Sequence, residues 1–229
     1  MLLGRKPIAT IAYMGGIMSL PEPFVWSWSQ MIEYNNDYLV EPNQSIFYYR
    51  STVSYHVYAR NNIVDTMKGD WVLMLDTDIS FEPDLAVRMI SCMDKYNIDV
   101  LTGVYNFKSP PHAPLLFLFH PSGRIVPLGD WTDNAEIYEI GSAGAGCLMI
   151  RRKVFDRIRE KLNEGPFDVT HPMSEDHSFF ERLKRLKIKA YMNPNIEVHH
   201  LAYQPLSLKD YNKDKVKLTK KEIPMHGFI

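Results

Sequence analysis

Two rhythms of apolar and polar positions alternate along the chain. Pro7 to Met14 (PIATIAYM) is a short apolar run closed by Gly15-Gly16, which predicts a strand and its turn. Pro23 to Asn35 (PFVWSWSQMIEYN) then spaces apolar residues as one face of a helix, with Pro23 in the first turn. The pair of signals recurs. Ser45 to Arg50 (SIFYYR) predicts a strand and Thr52 to Met67 a helix; Trp71 to Leu75 (WVLML) predicts a strand and Pro83 to Lys95 a helix; Asp99 to Thr102 predicts a fourth strand. Strands alternating with helices predict an α/β fold, a Rossmann-like, mostly parallel central sheet flanked by helices on both faces.

Beyond Thr102 the rhythm shortens. Short strands and turns are expected up to Gly141, with breaks at Lys108 to His112 (KSPPH) and Pro121 to Gly123 (PSG). From Cys147, CLMIRRKVFDRIREKL reads as a strand running into a helix; another helix opens near Ser174, and a last strand spans Asn195 to His200. Without repeats or low-complexity segments, one domain over residues 1–201 is expected, with 202–229 as a tail packed on it or extending it.

Composition narrows the partners. At 229 residues and 45% hydrophobic content the chain can bury a sizeable core. Its net charge of −1, from 26 basic and 27 acidic side chains, gives no global field to draw in nucleic acid or anionic lipid. Lys213 to Lys221 (KDKVKLTKK) is a local basic run that reads as a solvated tail, so nucleic acid is not excluded as a partner. Cys92 and Cys147 lie in apolar surroundings, too few for a disulfide framework, which suits a reducing, cytoplasmic compartment. Arg5-Lys6 followed by PIATIAYMGGIMSL imitates a secretory signal, but Pro7, Thr10, Tyr13 and the glycine pair interrupt it. No apolar run approaches the roughly 20 residues of a membrane span.

Three segments carry candidate chemistry. Asp76 and Asp78 (DTD) directly follow WVLML, at the strand end where open α/β sheets bind ligands. Two carboxylates so close repel unless a cation lies between them, and Mg²⁺ is commonly held by one or two carboxylates plus substrate phosphates. The bland alternative is a polar loop. In Ser174-Glu175-Asp176-His177, Ser174 suits an N-cap and both acids complement the helix dipole; equally, a carboxylate there can serve as a general base. In Ile196-Glu197-Val198-His199-His200, alternation puts Ile196, Val198 and His200 on one face, Glu197 and His199 on the other. Gly141, Gly144 and Gly146 (GSAGAGC) read as close backbone approach, more to a neighbouring strand than to a ligand.

In this order ARNNIVDTMKGDWVLMLDTD, GSAGAGCLMIRRKVFDRI, SEDHSFFERLKRLKIKAYMNP and IEVHHL resemble the GT-A glycosyltransferases, especially the family 2-like, usually inverting enzymes. The resemblance covers most of Pro7 to Leu201. It implies a metal-dependent hexosyl- or pentosyltransferase moving a sugar from a nucleotide-diphosphate sugar to an acceptor hydroxyl, with Mn²⁺ or Mg²⁺ as cofactor. By the same resemblance Asp78 would ligate the ion, and Asp76 would contact the ribose or the metal through water. His200, or its neighbour His199, would be the C-terminal ligand. Asp176 would be the general base, with Glu175 positioning the acceptor. Arg60 and Asn61 would border the nucleotide, and Thr10 and Tyr13 would flank its base. No acidic residue follows the second strand; Ser51 and Thr52 stand there instead. Two other readings stand beside this one. One is a sugar-nucleotide nucleotidyltransferase, which would want a basic glycine-rich loop that YMGGIMSLPEP lacks. The other is a non-catalytic sugar-nucleotide or glycan-binding protein. The acceptor has no diagnostic pattern.

Overall fold

The computed structural model describes residues 5–15, 19–122, 124–129 and 135–202, and the backbone of 205–206. Its first half alternates as the pattern predicts: β1 (Lys6–Met14), α1 (Glu22–Tyr38), β2 (Gln44–Ser51), α2 (His56–Thr66), β3 (Trp71–Leu75), the short β4 (Ile79–Ser80), α3 (Leu85–Tyr96) and β5 (Val100–Val104). Then come β6 (Leu116–Phe119), β7 (Ile125–Pro127), β8 (Tyr138–Ile140) and β9 (Ser142–Ala143). β10 (Cys147–Arg151) runs straight into α4 (Arg152–Leu162), and α5 (Glu175–Arg185), β11 (Ala190–Glu197), β12 (His199–Leu201) and β13 (Pro205–Leu206) follow. The basic run at 213–221 and most of the expected tail lie outside the described residues.

One sheet organises the molecule, in the order β2-β1-β3-β10-β5-β11-β8. β2, β1, β3, β5 and β11 point the same way, while β10 lies antiparallel between β3 and β5 and β8 antiparallel at the edge. Both faces are covered, which is why WVLML carries no polar residue. Val72 and Met74 join Ile63, Phe155 and Phe179 from α2, α4 and α5 on one face. Leu73 and Leu75 meet Phe24, Met31 and Met89 from α1 and α3 on the other. Among the described residues no helix is long and apolar enough to cross a membrane.

Several expected boundaries moved, two of them in ways that bear on the site. The helix expected from Thr52 begins at His56, because the β-branched pair Thr52-Val53 leaves β2 without entering helical geometry. The strand expected over Asn195 to His200 is broken at Val198, whose N–H donates to the Val104 carbonyl at 2.9 Å. β11 ends in the main sheet; β12 peels away to pair antiparallel with β4 and β13. That break sets up the site.

Candidate active site

The carboxyl ends of β3 and β11 meet at one rim of the sheet. Past Leu75 the chain is pinned by the Asp76 N–H, which donates to the Gly146 carbonyl at 2.8 Å, and by the Asp78 carbonyl, which accepts from the Leu201 N–H at 2.7 Å. Pairing of β4 with β12 sets His200 opposite Ile79. As a result His200 Nε2 stands 3.4 Å from Asp78 Oδ2, although 122 residues separate them in the chain.

The ring of His200 is held from behind. Its Nδ1 lies 2.7 Å from the Asn106 carbonyl, which can only accept, so Nδ1 carries the proton. Tyr105 meets the same ring edge-on at 5.4 Å. Nε2 is therefore left either to take a second proton or to give its lone pair to a cation beside Asp78. Asp78 has a second neighbour, Lys108, whose Nζ stands 2.6 Å from the same Oδ2. Burial pushes the Asp78 carboxyl up, but hydrogen bonds from His200 and Lys108 outweigh it and hold the group well below the usual carboxylate range.

Asp76 belongs to a different constellation. Arg60, on α2, is only 2% exposed. Its Nη2 donates to Asp76 Oδ1 at 3.0 Å, its Nη1 to the Ala145 carbonyl at 3.0 Å, and its Nε to Glu175 Oε1 at 3.4 Å. Burial works against the guanidinium's charge, yet Asp76, Glu175 and Asp176 outweigh it and keep its pKa raised. His56, one turn earlier on α2, approaches the same Glu175 oxygen at 3.7 Å. Beneath them the buried Tyr105 hydroxyl accepts the Gly146 N–H at 2.8 Å; burial, then Asp76, drives that phenol's pKa well up. A Cβ at Gly146 would stand 2.7 Å from this hydroxyl and 3.0 Å from Asp76 Oδ2, so a glycine lets the strand turn pass the carboxylate.

α5 brings the remaining acids. Ser174 occupies the N-cap position, but its hydroxyl bonds Asp176 instead of a backbone N–H of the first turn. The same Asp176 oxygen also accepts the His177 N–H at 2.7 Å. Asp176 lies within electrostatic reach of both Arg60 and Tyr105.

Of the residues anticipated from sequence, Asp76, Asp78, His200, Arg60, Glu175 and Asp176 come together at this rim. Others do not. Thr10 is fully buried in mid-strand, its hydroxyl bonded to the backbone of Lys68. Asn61 holds the loop at 167–168 through the Phe167 N–H and Asp168. Tyr13 packs edge-on against Phe24 and Trp28. His199 turns away and approaches Glu197 at 4.0 Å. Arg60, expected to border the nucleotide, spends all three guanidinium nitrogens on Asp76, Glu175 and the Ala145 carbonyl. Sequence reasoning missed Lys108, Asn106, Tyr105 and His56; the turn signal KSPPH was seen, but nothing in it pointed to Asp78. The glycine segment makes the close approach to a neighbouring strand expected of it, since Gly141 abuts the backbone of β6, and Gly146 in addition clears Tyr105 and Asp76.

The sequence profile of Glycosyl transferase family 2 matches residues 32–159, more than half of the chain, and spans α2, β3 and both aspartates. The chain belongs to glycosyl transferase family 2. No curated protein matches this family 2 chain significantly. Among solved structures it is similar to A197 from STIV, with TM-score 0.53, 17% identity and 89% of each chain covered. It is also similar to GalNAc-T7 with UDP, GalNAc and Mn²⁺, with TM-score 0.56 and 11% identity over 85% of this chain. The chain spans 43% of that longer one. At such identities the likeness bears on the GT-A fold alone.

Proposed function

We propose that this family 2 glycosyltransferase moves a sugar from a nucleotide-diphosphate donor to an acceptor hydroxyl, with Asp78 and His200 holding a Mn²⁺ or Mg²⁺ ion and Asp176 as general base. The observation that carries the reading is the convergence of Asp78 and His200, 3.4 Å apart at the sheet's ligand-binding edge. Among the described residues no three His, Cys, Asp or Glu side chains converge tightly enough to hold a metal by themselves. Two protein ligands are nevertheless what a site completed by substrate phosphates and water requires. The donor set fits in two further ways: the Asn106 carbonyl behind His200 Nδ1 fixes the ring with Nε2 facing Asp78, and the Lys108 ammonium already stands as a cation against Asp78.

When bound, the ion would supply Lewis-acid stabilisation of the charge that develops on the departing diphosphate. The chain's own residues do the rest. Arg60 fixes Asp76 at the strand end, where it meets the donor, and fixes Glu175 at the start of α5. Asp176, at the helix's positive end, takes the acceptor's proton as its oxygen attacks the anomeric carbon. Attack from the side opposite the leaving group inverts that centre. The UDP and Mn²⁺ in the GalNAc-T7 structure lend support to a nucleotide-sugar donor. Two buried free thiols support a reducing, cytoplasmic setting.

The test is a panel of nucleotide sugars incubated with the full chain and Mn²⁺ or Mg²⁺, following nucleoside diphosphate release. Release is expected for at least one donor, to stop with chelator, and to fall by about a hundredfold or more in Asp78→Ala. Release that survives both treatments would sink the site.

A further inference from the structure

A second hollow opens behind the ribbon formed by β4 and β12. In that ladder Ser80 pairs with His199 and Ile79 with His200. Successive residues of a strand point to opposite faces. The ribbon thus turns His200 toward Asp78 and His199 toward the far side, where a cavity of about 290 Å³ is lined by Trp26, Gln30, Ser80, Phe81, Glu82 and His199. Its walls are held in place. Ser27 Oγ, on α1, accepts the Phe81 N–H at 3.0 Å, and Phe24 meets the Phe81 ring edge-on at 6.1 Å. Trp26 stands out against this order: its neighbours Phe24 and Ser27 are buried, while the indole itself is 68% exposed.

The chemistry of the lining selects its occupant. Among the described residues neither lysine nor arginine lines the cavity, so a phosphate or diphosphate finds no counter-charge among them beside Glu82. An acyl chain or apolar side chain would cover Gln30, Ser80, Glu82 and His199 and strip them of water without returning hydrogen bonds. A pyranose ring does neither. Its C–H face lies flat on an indole, and its rim hydroxyls reach amide, carboxylate and imidazole groups. The volume is that of a small ligand site, sized for a single ring. We infer that this cavity is a saccharide subsite with Trp26 as its platform, holding a distal unit of a neutral oligosaccharide acceptor. The inference rests on the glycosyltransferase reading, since the reacting unit must lie on the other side of the ribbon, at Asp78 and His200.

The experiment compares the full chain with Trp26→Ala, Trp26→Phe and Gln30→Ala in two assays. One is binding to an array of neutral oligosaccharides and their monosaccharides; the other is nucleotide-sugar turnover without acceptor. The wild-type chain is expected to hold one or more oligosaccharides and to prefer them over the single sugar. Trp26→Ala should lose that binding by about tenfold or more, Trp26→Phe should recover part of it, and donor turnover should stay within about twofold in both. Glycan binding unchanged in Trp26→Ala and Gln30→Ala overturns the subsite. So does a wild-type chain that turns over a nucleotide sugar yet holds no neutral glycan. Glycan binding that depends on Trp26 in a chain that turns over no donor would uphold the subsite and count against the transferase reading alone.

Discussion

Lys108 reaches Asp78 across 30 residues of chain and competes with any other cation for the same oxygen. Each side chain is 42% exposed, so the pair contributes at most about 1 kcal/mol. Replacing the lysine should free Asp78: Lys108→Met is expected to bind Mn²⁺ up to about fivefold more tightly, read by the free-ion paramagnetic resonance signal. In the same variant, affinity for a nucleoside diphosphate without metal should fall if the proposed donor site is right, because a positive charge beside Asp78 is gone. An unchanged Mn²⁺ isotherm would show that the ammonium does not occupy the ion's place. Nothing in KSPPH announces this role, because the pairing depends on where a loop of no periodicity lands. Arg60 is the opposite case. Its place in ARNN beside the family's aspartates was readable, but its burial and its three protein partners were not.

Single elements sit where they do for local reasons, and one turn shows it sharply. Gly69 enters β3 with φ of 79°, a left-handed backbone, and a Cβ there would stand 2.3 Å from the Ile8 carbonyl carbon. Both faults act against Gly69→Ala. A loss of more than about 1 kcal/mol is expected, seen as a melting temperature lower by about 3 °C or more in calorimetry. An unshifted melting curve would mean that β1 and β3 yield easily at this point. The helix starts err in a related way: β-branched Thr52 and Val53 fit helical spacing yet stay outside the helix, since period alone cannot weigh stiffness at χ1. The split between β11 and β12 at Val198 was hidden for another reason. Ile196 and Val198 are both buried, so the apolar alternation runs unbroken through the point where the chain changes sheets.

At the scale of the molecule, covering both sheet faces leaves its thiols sealed. Cys92 and Cys147 are free and buried, and burial, its largest influence, pushes the Cys147 thiol up to about 12. A thiol with that pKa stays protonated and unreactive at ordinary pH. The native chain is expected to resist a thiol reagent at about pH 8 and to expose both cysteines only in denaturant, along the same curve as its loss of helix. Rapid labelling of the native protein would contradict the tightness of the core around β10. That strand also shows what global packing adds, because it lies antiparallel between β3 and β5 and carries the Ala145 and Gly146 carbonyls to Arg60 and Asp76.

Local pattern alone determined the alternation of strands and helices, the carboxylates at the mouth of β3 and the acids opening α5, because each is written within a few turns of chain; the resemblance to a sugar-transferring family needed four such segments in order along the sequence. The fold in space decided the rest: the reversed strand at the centre of the sheet, His200 over His199, the lysine against Asp78, and the pocket behind the ribbon. Those depend on which separate segments share one surface, and residues brought together across 30 positions, as Lys108 and Asp78 are, or 122, as His200 and Asp78 are, leave no periodic mark on either one.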